Sequence, residues 1–324
     1  MAKRVSSRSK QSAPRPSASA AARAATDAGK RLATKVHREG SAALRARAEA
    51  IAAAPRRARS RAATVAPRFI RAAGVKGIGT LVAEGDSWFD YPWMDVLDVL
   101  GDLGYEIESV ASKGDRVEDM AYGGGQLAKF RRVLEKVLRR AELPRAILLS
   151  GGGNDIAGTE FAMLLEHASS PTPGPNAIIV REVIDLRIRN AYITILASVT
   201  ELCKTMTGQT LPILVHGYDL PVPDGRGFLG GWGPLPGPWL QPGFRQKGYE
   251  NQNLNRGTIG ALIDQFNVML KGVAAMAQFK HVRYVDLRGT LPSGSSYKEW
   301  WADELHPTRK GFRAVAAKFA NVIP

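Results

Sequence analysis

From about residue 77 to the C-terminus, short apolar runs of strand length alternate with longer stretches of helical period. That alternation predicts a parallel sheet with helices on both faces. Strands are expected from Gly79 to Ala83, Tyr105 to Ala111, Arg145 to Ser150, Leu211 to His216 and Val282 to Leu287. Helices are expected from Trp93 to Leu103, Gln126 to Glu142, Ala177 to Thr207, Asn253 to Ala277 and Thr308 to Val322. Two long segments fit neither period. His167 to Asn176 holds three prolines and a glycine, and Pro221 to about Gln252 sets Phe228, Trp232, Trp239 and Phe244 among many Gly and Pro. The second has the make-up of a substrate wall or lid.

The first 76 residues read differently. Residues 1 to 20 are Ser, Pro and Lys/Arg with no apolar period, a polar tail expected to be disordered. From Ala21 to about Ala54 the chain is Ala with interspersed Arg and Lys, so helix propensity is high while core-forming side chains are few. Such a helix is expected to have little to bury. Pro55 interrupts it, and a second basic stretch runs to about Lys76. The organisation expected is therefore an arm over 1–76, disordered to loosely helical, and one α/β domain over 77–324.

Charge sharpens that division. Residues 1–80 hold 19 of the 45 Lys and Arg but only 3 of the 30 acidic residues, a net +16, which leaves the other 244 positions close to neutral. The arm therefore suits a polyanion, whether nucleic acid, anionic lipid or an acidic polymer, and its role would be sequence-independent tethering, because reader motifs and interleaved aromatics are missing. Its Arg-rich, Ser-rich, acid-poor composition is also that of a transit peptide. Cys203 is alone, which excludes a disulfide framework within the chain. No apolar run reaches the roughly 18 residues of a membrane span, and no secretory signal core is visible, so a cytoplasmic location is expected. No set of His, Cys or carboxylates has zinc or calcium spacing, so neither metal nor cofactor is expected.

Four fragments, each just behind a predicted strand or near the C-terminal end, carry chemistry. Gly85-Asp86-Ser87 places a serine after the first strand, where a helix is expected to begin and its amide would be an unsatisfied donor. Ser87 needs a base, and His306 is the candidate. Asp303, three residues earlier, would fix the imidazole tautomer; Glu304 is the second choice for that part. Gly114 offers an amide with no side chain in the way, and Asn154 in Gly152-Gly153-Asn154-Asp155 offers a side-chain donor, so with Ser87 they form a candidate oxyanion hole. Trp88, Asp155, Tyr218, Trp232 and Trp239 are the candidate pocket lining, although bracing of their loops through backbone hydrogen bonds is the preferred reading of Asp86 and Asp155. His216 to Asp219 either lines the crevice or is a structural strand-end cluster.

Ser87, Gly114, Asn154 and His306, in this order and in these contexts, resemble the four blocks of the SGNH (GDSL-type) hydrolases. The resemblance spans about residues 79 to 312. It implies a three-layer α/β/α flavodoxin-like fold with a five-stranded parallel sheet, metal-free ester hydrolysis, and the roles given above. Trp88 stands where Leu is frequent in the first block, which would shape the pocket. Gly-x-Ser-x-Gly is absent, against an α/β-hydrolase elbow. The function expected is a Ser-His-Asp esterase, lipase-like or O-acetylesterase-like, acting on a carboxylic ester; lipid-like acyl chains and acetylated sugars both fit. The alternatives are an acyltransferase using the same residues and a polyanion-binding protein working through the arm.

Overall fold

The computed structural model describes residues 18–53, 77–140, 143–158, 160–231 and 235–324. Of the tail expected over residues 1–20, residues 1–17 lie outside the described residues, as do the basic stretch up to Lys76 and Trp232, while residues 18–20 belong to a helix. The sheet is built from β1 (Gly79–Glu84), β2 (Tyr105–Ser109), β3 (Ala146–Leu149), β4 (Ile213–His216) and β5 (Val282–Val285), all parallel in the order β2-β1-β3-β4-β5. β3 and β4 are buried along their whole length and β1 after its first residue, which is why they read as unbroken apolar runs. The edge strands β2 and β5 keep exposed positions. Each of the five expected strands is present, a residue or two shorter at some ends.

Helix α1 spans Ala18–Ala53, and α2 spans Val96–Asp102. The helices α3 (Val117–Tyr122), α4 (Gln126–Leu138) and α5 (Gly153–Ile156) follow. Helix α6 (Ala177–Val180) runs through a π-helical segment, Arg181–Ile188, into α7 (Arg189–Thr207). The chain ends with α8 (Gln241–Gln246), α9 (Gln252–Ala274) and α10 (Arg309–Ala320). Helices α2 and α10 pack together on one side of the sheet, and α4, α7 and α9 belong to the other layer. The short α3 and α8 fall where no helix was expected, one after the Gly114 loop and one inside the long Gly/Pro segment.

The helix of the arm, expected to have little to bury, packs on the domain through its small residues. Helix α1 lies along α7 and touches α4. Ala22 and Ala25 are buried, and a Cβ at Gly29 would sit 2.6 Å from the Thr194 carbonyl oxygen and 3.0 Å from the Ala197 Cβ. The buried Arg131 of α4 donates to the Leu32 carbonyl, one turn further on. Small side chains let two backbones approach closely, so dispersion contacts replace the large apolar face the helix lacks. Among the described residues, no helix is long and apolar enough to cross a membrane.

Candidate active site

The order 2-1-3-4-5 reverses direction between β1 and β3, and in open parallel sheets ligands bind at the carboxyl ends of the strands flanking such a point. Ser87 follows β1 and Asn154 follows β3, so two of the four fragments stand at that crevice. Ser87 does not open a helix, as the sequence suggested. It sits in a turn closed by Phe89 N–H donating to the Asp86 carbonyl at 3.0 Å, and the next helix starts only at Val96, where Asp95 caps it through Leu97 and Asp98 amides. The turn is held from the side chain of Asp86 instead. That carboxylate accepts from Trp88 N–H at 3.0 Å, from the Ser150 hydroxyl at 2.7 Å and from the Tyr218 hydroxyl at 2.6 Å.

The structure brings Ser87 and His306 together across 219 positions, with Oγ to Nε2 at 2.8 Å. On the other side of the ring, Nδ1 lies 2.8 Å from Asp303 Oδ1 and 3.0 Å from Oδ2. A carboxylate is acceptor-only, so Nδ1 carries the proton and Nε2 presents its lone pair to the serine hydroxyl. Asp303 Oδ1 also accepts from the Leu305 and His306 amides, each at 2.8 Å, and Oδ2 accepts from the Tyr91 hydroxyl at 3.2 Å. The loop bearing both residues is pinched by a Trp301–Pro307 bridge and by Ala302 N–H donating to the His306 carbonyl.

Tyr91, four residues after Ser87 in a run of aromatics that suits a pocket wall, takes a further part that the sequence pattern does not reveal. It stacks on His306 with ring centres 4.6 Å apart. Burial, then the neighbouring Asp303 charge, pushes its hydroxyl well above the ordinary tyrosine range, so it stays a donor. Trp239 meets His306 edge-on at 5.3 Å.

The amides of Ser87 and Gly114 have no acceptor among the described residues. Asn154 Nδ2 donates one hydrogen to the Asp115 carbonyl at 3.0 Å, which orients the amide and leaves its second hydrogen free. The turn before Asn154 requires glycine at 152, where φ is +108° and a Cβ would lie 2.4 Å from the Phe266 ring. Asp155 lies elsewhere: its oxygens accept from the Val117 and Glu118 amides, and it lines a separate cavity with Arg116 and Arg187. It is a brace for α3, not a wall of the Ser87 cleft.

Two cavities meet at Ser87 and Asn154. The inner one, about 50 Å³, is walled by Trp88, Tyr218, Phe161, Leu240 and residues of α9. The outer one, about 420 Å³, is bounded by His306, Trp239, Tyr91, Phe228, Gly114 and Lys113. Trp88 and Tyr218 thus line the inner cavity and Trp239 the outer.

A second Ser–His–Asp set lies beneath the first. His216 Nε2 is 2.8 Å from Ser150 Oγ, which bonds to Asp86, and His216 Nδ1 is 2.7 Å from the Gly217 carbonyl. Ser150, His216 and Asp86 are 1, 0 and 2 % exposed, against 9 % for Ser87. Neither Ser150 nor His216 lines either cavity.

Glu304, the second choice as orienter, faces away from His306. Its carboxylate gathers four backbone amides of the long loop: Gly225 and Gln241 at 2.9 and 3.1 Å on Oε1, Trp239 and Leu240 at 2.7 Å on Oε2.

All these residues fall within 77–319, the segment matched by the family model GDSL-like lipase/acylhydrolase. The chain belongs to that family. It is an ester hydrolase. Solved structures with some likeness include an extracellular lipase from Streptomyces rimosus, 19 % identical, with 76 % of this chain and 100 % of that one covered and a TM-score of 0.41. A lipase/acylhydrolase from Enterococcus faecalis is 14 % identical, with coverages of 76 and 95 % and a TM-score of 0.39. An acetylxylan esterase from Geobacillus stearothermophilus is 14 % identical, with coverages of 77 and 95 % and a TM-score of 0.40. No curated protein matches the chain. The assignment rests on the sequence match over 77–319.

Proposed function

We propose that Ser87 is the nucleophile of this ester hydrolase, with His306 as base and then acid and Asp303 as its orienting carboxylate. The observation that carries the reading is the unbroken relay Asp303–His306–Ser87, with contacts of 2.8 Å at each step, opening where two cavities meet. Ser87 Oγ attacks the ester carbonyl as its proton passes to His306 Nε2, and the Asp303 charge stabilises the imidazolium. The carbonyl oxygen becomes an oxyanion that the Ser87 and Gly114 amides and Asn154 Nδ2 hold. Removing one such donor costs about 2.7 to 4 kcal/mol in comparable sites. His306 then protonates the departing alcohol and activates the water that releases the acid. The buried Ser150–His216 pair has no route to substrate and serves instead to hold Asp86, hence the Ser87 turn. Ser87→Ala should lower turnover of a 4-nitrophenyl ester by at least about 10³-fold; turnover close to that of the unaltered protein contradicts the assignment.

A second property belongs to the arm. While α1 turns Ala22, Ala25 and Gly29 inward, it keeps Arg23, Lys30, Arg31, Lys35 and Arg38 exposed. That ridge supports binding of a polyanion, through attraction that salt screens. Changing Arg23, Lys30, Arg31 and Arg38 to Glu should lower the salt needed to elute the protein from heparin. Unchanged elution would count against it.

A further inference from the structure

We propose that the site is built for esters joining a short acyl group, of about two to four carbons, to a bulky alcohol that presents a flat ring face. The inference rests on Ser87 and His306 acting as described above. Chemistry fixes which part of the ester goes where. The leaving oxygen must receive its proton from His306 Nε2, so the alcohol lies on the imidazole side of Ser87. His306 walls the outer cavity and is absent from the inner one. The acyl group therefore enters the inner cavity and the alcohol occupies the outer.

Their sizes then set the substrate. The inner cavity, about 50 Å³ against about 420 Å³ for the outer, takes the smaller part of the ester. Ile259, Leu262 and Ile263 of α9 and Phe161 line it, all of them buried core side chains, so a chain too long for the cavity meets packed core. Besides Ser87 and Asn154, the polar side chains along it include Asp86, Asp219 and Tyr218, all hydrogen-bonded within the protein, and Trp301, whose indole N–H has no partner among the described residues. The outer cavity, about 420 Å³, is walled by Tyr91, Phe228 and Trp239, and Trp93 stacks on Phe228 with planes 6° apart at 5.8 Å. Flat aromatic walls of this kind hold the faces of aryl rings and the apolar faces of sugar rings alike.

The test is a comparison of kcat/KM for 4-nitrophenyl acetate, butanoate and octanoate. The value should fall at least 10-fold from butanoate to octanoate, because one misfit methylene in an apolar pocket costs roughly 10- to 200-fold. Octanoate turned over as well as butanoate would overturn the proposal. In Leu262→Ala, the octanoate-to-acetate ratio should rise at least 10-fold; an unchanged ratio would also overturn it. A ratio does not depend on the fraction of the variant that folds. For the alcohol side, Trp239→Ala should lower the ratio of 2-naphthyl acetate, or of an acetylated methyl xyloside, to methyl acetate by at least 5-fold. A fall confined to the naphthyl ester points to aryl alcohols, and one confined to the xyloside points to sugars. No fall in either refutes the alcohol assignment. Failure of the underlying reading shows separately, as ester turnover that survives Ser87→Ala.

Discussion

Glu304→Gln should open the long loop over the site without touching the catalytic relay. The carboxylate is fully buried and each oxygen accepts two backbone amides, from Gly225, Trp239, Leu240 and Gln241. Burial pushes its proton affinity above the ordinary range, and the four amides pull it back. Glutamine keeps one oxygen, so two of the four amides would face an NH₂ group. Each amide stranded in this way costs about 1–3 kcal/mol, or about 2–6 kcal/mol for the pair. At 1.4 kcal/mol per decade, that is a roughly 30- to 10⁴-fold rise in local opening. Hydrogen exchange read amide by amide over 225–241 measures it directly. kcat/KM should fall as well, because Trp239 loses its seat against His306. Exchange at the Trp239 and Leu240 amides that matches the unaltered protein would refute the reasoning.

Burial holds the Glu84 carboxyl up at about 8, and its Oε2 has no partner among the described residues. A raised folded value means stability present below about 4.5 is lost as pH climbs to 8, at about 1.36 kcal/mol per unit and so at most about 5 kcal/mol. Glu84→Gln should flatten the fall in Tm between pH 5 and 8, and parallel curves would contradict this. Tyr91→Phe removes the hydroxyl that donates to Asp303 but keeps the ring on His306, and should lower kcat about 3- to 10-fold; unchanged kcat would dismiss the contact as idle. Gly29→Leu drives a Cβ into the Thr194 carbonyl and should loosen α1, seen as faster tryptic cleavage after Lys30 and Arg31. Equal cleavage rates would mean that α1 does not rest on α7 as described.

The sheet was legible because strands covered on both faces must be apolar throughout, and the site fragments were legible because short loops at strand ends leave few positions for Ser87, Gly114 and Asn154. What could not be read depends on contacts with no local pattern. The inward face of α1 is Ala22, Ala25 and Gly29, which any periodicity measure scores as weak. Glu304 works on backbone amides of a Gly/Pro loop, so no partner side chain announces it. The Ser150–His216–Asp86 set joins residues from the ends of β1, β3 and β4, and only strand order makes them neighbours. Local capping explains the misplaced helix start: Asp95 and Asp98 form the capping box, whereas Asp86 spends its oxygens on holding the Ser87 turn.

The central claim is that the relay ending at Ser87, which borders both cavities, and not the one ending at Ser150, which borders neither, forms the covalent intermediate. Reaction with a fluorophosphonate followed by tandem mass spectrometry of the peptides reads this directly. The adduct should map to Ser87, and His306→Ala should suppress it. An adduct on Ser150, or labelling of Ser87 that is indifferent to His306, would contradict the account.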